Sequence, residues 1–122
     1  MKRLKSGKAQ IVNKKNHFFS RIHVEDIANI LYKSINLFKK DEIYNICDDM
    51  PASQVEVAAY GAKLLKLNLP EPIKLETASE MLQNFYNDSK KVDNKKMKKV
   101  FNYNLKYPTY KEGLNFIFDN NI

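Results

Sequence analysis

Phe19-Ser20-Arg21-Ile22-His23-Val24-Glu25-Asp26-Ile27-Ala28 is the stretch whose reading decides the fold. Residues Phe18 to Val24 are aromatic and β-branched, which predicts a strand. At Asp26 the period changes: Ile27, Ile30, Leu31, Ser34, Ile35 and Phe38 recur at helical spacing as one apolar stripe. A carboxylate at Asp26 is suited to accept backbone N–H bonds left open in a first helical turn, so it is read as the cap. Lys39-Lys40 supply the positive charge that a helix C-terminus favours.

Outward from that stretch, Glu42-Ile43-Tyr44-Asn45-Ile46-Cys47 predicts a second short strand, stopped by Asp48-Asp49-Met50-Pro51. Three capping boxes head later helices: Ser53 with Glu56, Thr77 with Glu80, and Thr109 with Glu112. Lys91-Val92-Asp93 is a brief extended piece, and Asn94 caps a helix with Met97, Val100 and Phe101 on its apolar side. Residues 1–17 carry charge, one glycine turn and the pair Ile11-Val12, the pattern of a helix tail, a turn and a weak strand, or of a partly frayed end. Strand, helix, strand and helix in succession predict an α/β arrangement with parallel pairing, followed by a mostly helical tail. Two strands make a poor sheet alone, so a partner sheet, self-association or marginal stability is expected.

A chain of 122 residues with 43% hydrophobic content is one domain's worth and can bury a core. The single cysteine, Cys47, forms no internal disulfide and suits a reducing compartment, read here as the cytoplasm. No apolar run is long enough to span a membrane. The net charge of +7 admits anionic partners, nucleic acid among them, but the many Asn-Lys pairs also fit a lysine- and asparagine-rich background, and nucleic acid is not favoured.

The quoted stretch resembles a segment found late in the NAD-dependent epimerase/dehydratase group of extended or atypical short-chain dehydrogenase/reductase proteins. Ile43 to Pro51, Lys91 to Met97 and Tyr107-Pro108-Thr109-Tyr110-Lys111-Glu112-Gly113-Leu114 continue the resemblance in the same order. It implies a single unit over 1–122: the C-terminal part of a Rossmann-like protein, contributing the last strands of a parallel sheet and a mostly helical substrate-binding lobe. Only eighteen residues precede Phe19, so the N-terminal dinucleotide-binding region of the family is expected to be absent. The full-length family implies NAD(P) and a small-molecule substrate, but Gly7, Gly61 and Gly113 are never clustered and offer no cofactor loop. The chain is thus expected to bind no cofactor alone and to be inactive alone, its partner a separately encoded N-terminal half or a second copy joined at the sheet edge.

The family's catalytic Tyr and Lys stand four residues apart on one helix. Tyr107 and Lys111 match formally, but Tyr107 precedes Pro108 and Thr109 caps the next helix, so the two do not share a face. Sugar-nucleotide members carry an arginine three residues before the isoleucine of Ile-His-Val. Phe19 stands there, and the arginine is Arg21, which points away from a nucleoside-diphosphate sugar.

Arg21 and His23 are the candidate substrate-binding residues. Arg21 either meets an anionic ligand or pairs with Glu25 or Asp26, and His23 either shuttles protons or is hydrogen-bonded in the core. Asp48-Asp49 read as a metal pair or as a turn. The lysines at 90, 91, 95, 96, 98 and 99 read as a phosphate-binding patch or a solvated helix face. A small basic binding module and a protein-interaction domain are the alternatives to the enzyme-derived reading.

Overall fold

A computed structural model describes residues 1–122, and six α-helices carry the architecture: α1 (Lys2–Lys5), α2 (Val24–Leu37), α3 (Gln54–Leu65), α4 (Glu80–Phe85), α5 (Lys95–Phe101) and α6 (Tyr110–Asp119). A short 3₁₀ turn at Leu75–Thr77 precedes α4. α2 packs on α5, while α3 packs on α6 and on α1. Capping boxes at Ser53/Glu56 and Thr109/Glu112 open α3 and α6. Three starts differ from the expectation: Asn94 holds the N-cap position of α5, but its side chain makes no capping bond, and Asp93 Oδ1 accepts the Lys95 N–H instead. Ser79, not Thr77, caps α4, and the Nδ1 of His23, not Asp26, accepts the Glu25 N–H at the start of α2.

The expected α/β fold with a parallel sheet is not present: the chain has no strand element, only two isolated bridges. Phe19 and Ala52 exchange both backbone bonds in one antiparallel bridge, at 3.1 and 3.2 Å, and Val12 bridges Ile73. The extended segments around Ile22 and Tyr44 share a single backbone bond, Asp48 N–H to the Arg21 carbonyl at 2.6 Å. Further bonds along them involve side chains. Lys96 Nζ donates to the Ile43 carbonyl, Asn94 Nδ2 to that of Cys47, and Val92 N–H to Ser20 Oγ. Lys91-Val92-Asp93 likewise joins no ladder. A sheet needs neighbouring strands side by side, and strand-like composition alone does not supply them.

Ile30, Met97, Phe101 and Leu105 form the central core, with Ile22, Tyr44, Ile46 and Val100 packed against it. A second cluster sets the His17 ring between Phe19 and Tyr86, at centroid distances of 4.6 Å each, and both His17 ring nitrogens are buried without a partner. Asp26 is fully buried at the third position of α2. Its Oδ1 accepts from Tyr103 Oη (2.7 Å) and the Lys106 N–H (2.8 Å), and its Oδ2 from the Tyr107 N–H (3.0 Å).

The apolar stripe of α2 is a correction of another kind. Ile30 faces the core, but Val24, Leu31, Tyr32, Ile35 and Phe38 are 59–77% exposed. At 100° per residue Val24, Leu31, Ile35 and Phe38 share one narrow outward stripe. The total accessible surface is 8650 Å², against about 6,800 Å² for a self-contained monomer of this mass.

Three outcomes follow. Asp26→Ala strands three donors and should lower stability by about 3–5 kcal/mol, read as a fall in the urea midpoint at unchanged slope. Leu31→Glu with Ile35→Glu should leave the stability of the isolated chain within about 0.5 kcal/mol of the parent. Ile30→Ala, on the inner face of the same helix, should cost about 2–5 kcal/mol.

Candidate functional site

Arg21 sits where the 18–23 segment passes the start of α3, between two cavities. The larger, of about 440 Å³, is lined by α1, the 9–11 segment, α3, Phe19, Arg21, Phe85 and Leu114. The smaller, of about 140 Å³, holds Arg21, His23, Asp48, Thr109, Tyr110 and Gly113 among its walls. The structure thus brings both sequence-selected residues, Arg21 and His23, to one small cavity, and Arg21 alone reaches the larger one.

Arg21 pairs with neither Glu25 nor Asp26. Its Nη1 donates to the carbonyls of Phe19 (3.0 Å) and Ala52 (2.7 Å), and the guanidinium lies 5.3 Å from the Phe19 ring centroid. Nε and Nη2 make no hydrogen bond within the chain. Burial pulls the guanidinium's pKa below its ordinary value, opposed by Asp48, Tyr86, Tyr110 and Glu56. Glu25 is held instead by Lys106 Nζ (2.7 Å) and Tyr107 Oη (3.1 Å).

His23 is anchored on three sides. Its ring lies 3.9 Å from the Tyr107 ring and edge-on to Phe116. A Cβ at Gly113 would come within 3.2 Å of it, so the glycine lets α6 lie close against the ring. Because Nδ1 accepts from the Glu25 N–H at 3.3 Å, the neutral ring carries its proton on Nε2. His23 therefore offers a cavity ligand a donor rather than a base.

Asp48 and Asp49 diverge. Asp49 takes Lys98 Nζ (2.6 Å) and Asn94 Nδ2 (2.8 Å). Asp48 is buried, its Oδ1 accepting the Met50 N–H at 3.0 Å, and burial pushes its carboxyl up to about 6 against the pull of that bond and of Arg21. No group of three potential ligands that could hold a metal occurs. Tyr110 at the start of α6 has its phenol pushed up by burial, then by Glu56 and Tyr60, so it stays protonated and acts as a donor. Cys47 is buried and its thiol is raised, mainly by desolvation, as suits an inert core residue.

Tyr107 lies outside α6, which begins at Tyr110 behind the Thr109 cap, so Tyr107 and Lys111 share no helix face. The lysine patch is largely neutralised: Lys90 pairs with Asp88, Lys95 with Asp93, Lys96 with Glu42 and Lys98 with Asp49, while Lys91 lies over the Phe18 ring. Sequence reasoning missed Asp48 as a buried wall residue and missed the part of α1 in the larger cavity. The only available signal for Asp48 was its position at the end of an apolar run.

With a folded-state pKa of about 6 against an ordinary 3.8, Asp48 stabilises the fold fully below pH ~4 and loses that contribution as pH rises through 6. Urea unfolding should show Asp48→Asn removing a fall of about 2–3 kcal/mol between pH 4 and 7. Glu25, Glu56 and Glu112, whose pKa values are lowered, act with opposite sign in more acid solution, in both proteins alike.

No protein-family model and no curated protein matches the chain. Chains of solved structures do, among them the following two. A functionally unknown conserved protein from Silicibacter pomeroyi is 37% identical, with 94% of this chain superposing on 42% of that one at a TM-score of 0.87. The human epimerase family protein SDR39U1 (isoform 2), solved with NADPH, is 16% identical, 97% of this chain covering 41% of it at a TM-score of 0.77. No helix here is long and apolar enough to cross a membrane. The chain spans about two-fifths of the length of these two structures, and over that span it shares their fold.

Proposed function

We propose that this chain is the C-terminal, substrate-binding portion of an NAD(P)-dependent epimerase/dehydratase-like oxidoreductase and is inactive by itself. The observation that carries the reading is the superposition of nearly the whole chain on two-fifths of longer proteins, one of them an epimerase family member solved with NADPH.

The residues present do not fit the cofactor. A dinucleotide's pyrophosphate needs open backbone amides at a glycine-rich helix start. The space beside Gly61 is taken by Leu4 at 3.1 Å and that beside Gly113 by His23 at 3.2 Å, while Gly7 follows α1 instead of opening a helix. The starts of α2, α3 and α6 are closed by His23, Ser53 and Thr109. No chemical step is assigned to this chain: it binds and orients. Arg21 supplies positive charge, and His23 Nε2 and the Tyr110 phenol supply further donors.

Cofactor and hydride chemistry then belong to the complementary region of such a protein, for which the outward stripe of α2 is the natural seat. The surface excess of roughly 1,800 Å² over a self-contained monomer exceeds the ~800 Å² per partner of a standard interface.

Fluorescence titration of the purified chain with NADPH should show no saturable uptake, and stoichiometric uptake by the chain alone would overturn the proposal. The coding sequence immediately upstream should carry a glycine-rich turn and a Tyr/Lys pair four residues apart. Its absence there, with no separately encoded equivalent in the genome, counts equally against it.

A further inference from the structure

The larger cavity carries positive charge and no negative charge. Its walls include Arg21 from the 18–23 segment and Arg3 from α1, together with the amides Gln10 and Gln54, and no carboxylate lines it. Apart from Ser20, the rest is apolar or glycine: Ile11, Phe19, Val57, Ala58, Phe85 and Leu114 among others. At about 440 Å³ it falls within the ~300–1,000 Å³ range of small-molecule sites, which are mostly apolar with a few placed polar groups.

Arg21 is the group left incomplete. It is partly buried, forms no ion pair, and uses only Nη1 within the chain, on two carbonyls that fix the plane of the guanidinium. Nε and Nη2 have no partner within the chain and are not sealed from solvent, so both donors stand open to an anion. A planar fork held in place is suited to a carboxylate, which accepts two parallel N–H bonds. Gln54 is not free to compete for such a ligand. Its Oε1 accepts from the Val12 N–H and Tyr86 Oη, and its Nε2 donates to the Gln10 carbonyl.

We infer that the 440 Å³ cavity binds an amphipathic monoanion, a carboxylate with an apolar body. The carboxylate pairs with Nε and Nη2 of Arg21, and the body lies between α3 and the Ile11, Phe85 and Leu114 walls. This rests on the substrate-binding reading above and names the substrate class: a small apolar acid rather than a nucleoside-diphosphate sugar.

The test is calorimetric titration of the 122-residue chain with octanoate, octan-1-ol and octylamine. Octanoate should bind one to one and about tenfold or more tightly than octan-1-ol, as expected for hydrogen bonds to a charged group, and octylamine should not bind. Arg21→Gln should erase the preference for octanoate over octan-1-ol. Ala58→Trp, which fills the cavity from α3, should abolish both. Leu31→Glu with Ile35→Glu should change neither, which separates the cavity from the exposed face of α2. Equal binding of octanoate and octan-1-ol overturns the inference, as does octanoate binding that survives Ala58→Trp or vanishes with the α2 substitutions. Where Arg21→Gln fails to fold, the ranking of the three probes on the unaltered chain and the Ala58→Trp result decide the matter. Failure here leaves the partial-enzyme reading standing, since that reading falls on NADPH uptake and the upstream sequence.

Discussion

The Asp26 carboxylate is the constraint on which the rest of the structure depends. It lies fully buried near the start of α2, and its three bonds all run to residues 103–107, about eighty positions away in sequence. Those bonds hold the loop between α5 and α6 against α2. Tyr107 is thereby placed on the His23 ring and Lys106 on Glu25. With Tyr107 fixed, Pro108 and Thr109 follow and α6 begins where its Gly113 can meet His23. The small cavity between Arg21 and Tyr110 is a result of that sequence of placements.

What holds the helices is local more than it is deep. Few side chains are fully buried, and the central cluster is small for a chain of 122 residues. Caps at His23, Ser53, Ser79 and Thr109 secure the helix starts. Side chains take over backbone duties that a sheet would otherwise perform, as Lys96, Asn94 and Ser20 do along the two extended segments. Such an economy leaves α2 half-used: its inner side carries Ile30 and Asp26, and its outer side carries a seam of large apolar residues facing water.

The local chemistry was legible in the sequence and the long-range chemistry was not. The capping boxes at Ser53 and Thr109 depend on residues three apart, and both formed. Thr77 had the same spacing, but Ser79 two residues later took the cap. Asp26 was misread because a carboxylate at a helix start serves a cap and a distant loop equally well from sequence. The strands failed for a related reason. Aromatic and β-branched residues fit a half-buried pleated surface, and whether one exists depends on neighbours that no local pattern reveals. At the site, Arg21 and His23 stood out as charged or titratable groups in an apolar run. Asp48 was singled out only as half of a metal pair or turn, and Arg3 not at all, since their place in the cavity walls is set by packing between segments tens of residues apart.

His17 gives the fold a built-in reporter. Its imidazole is enclosed by Phe19 and Tyr86, with neither nitrogen reaching water or a protein partner. A ring hydrogen so enclosed exchanges with solvent only when the segment carrying it swings open. The lifetime of that one nitrogen-bound hydrogen, followed by magnetic resonance, therefore clocks the breathing of the wall that Ile11 and Phe19 form beside the larger cavity.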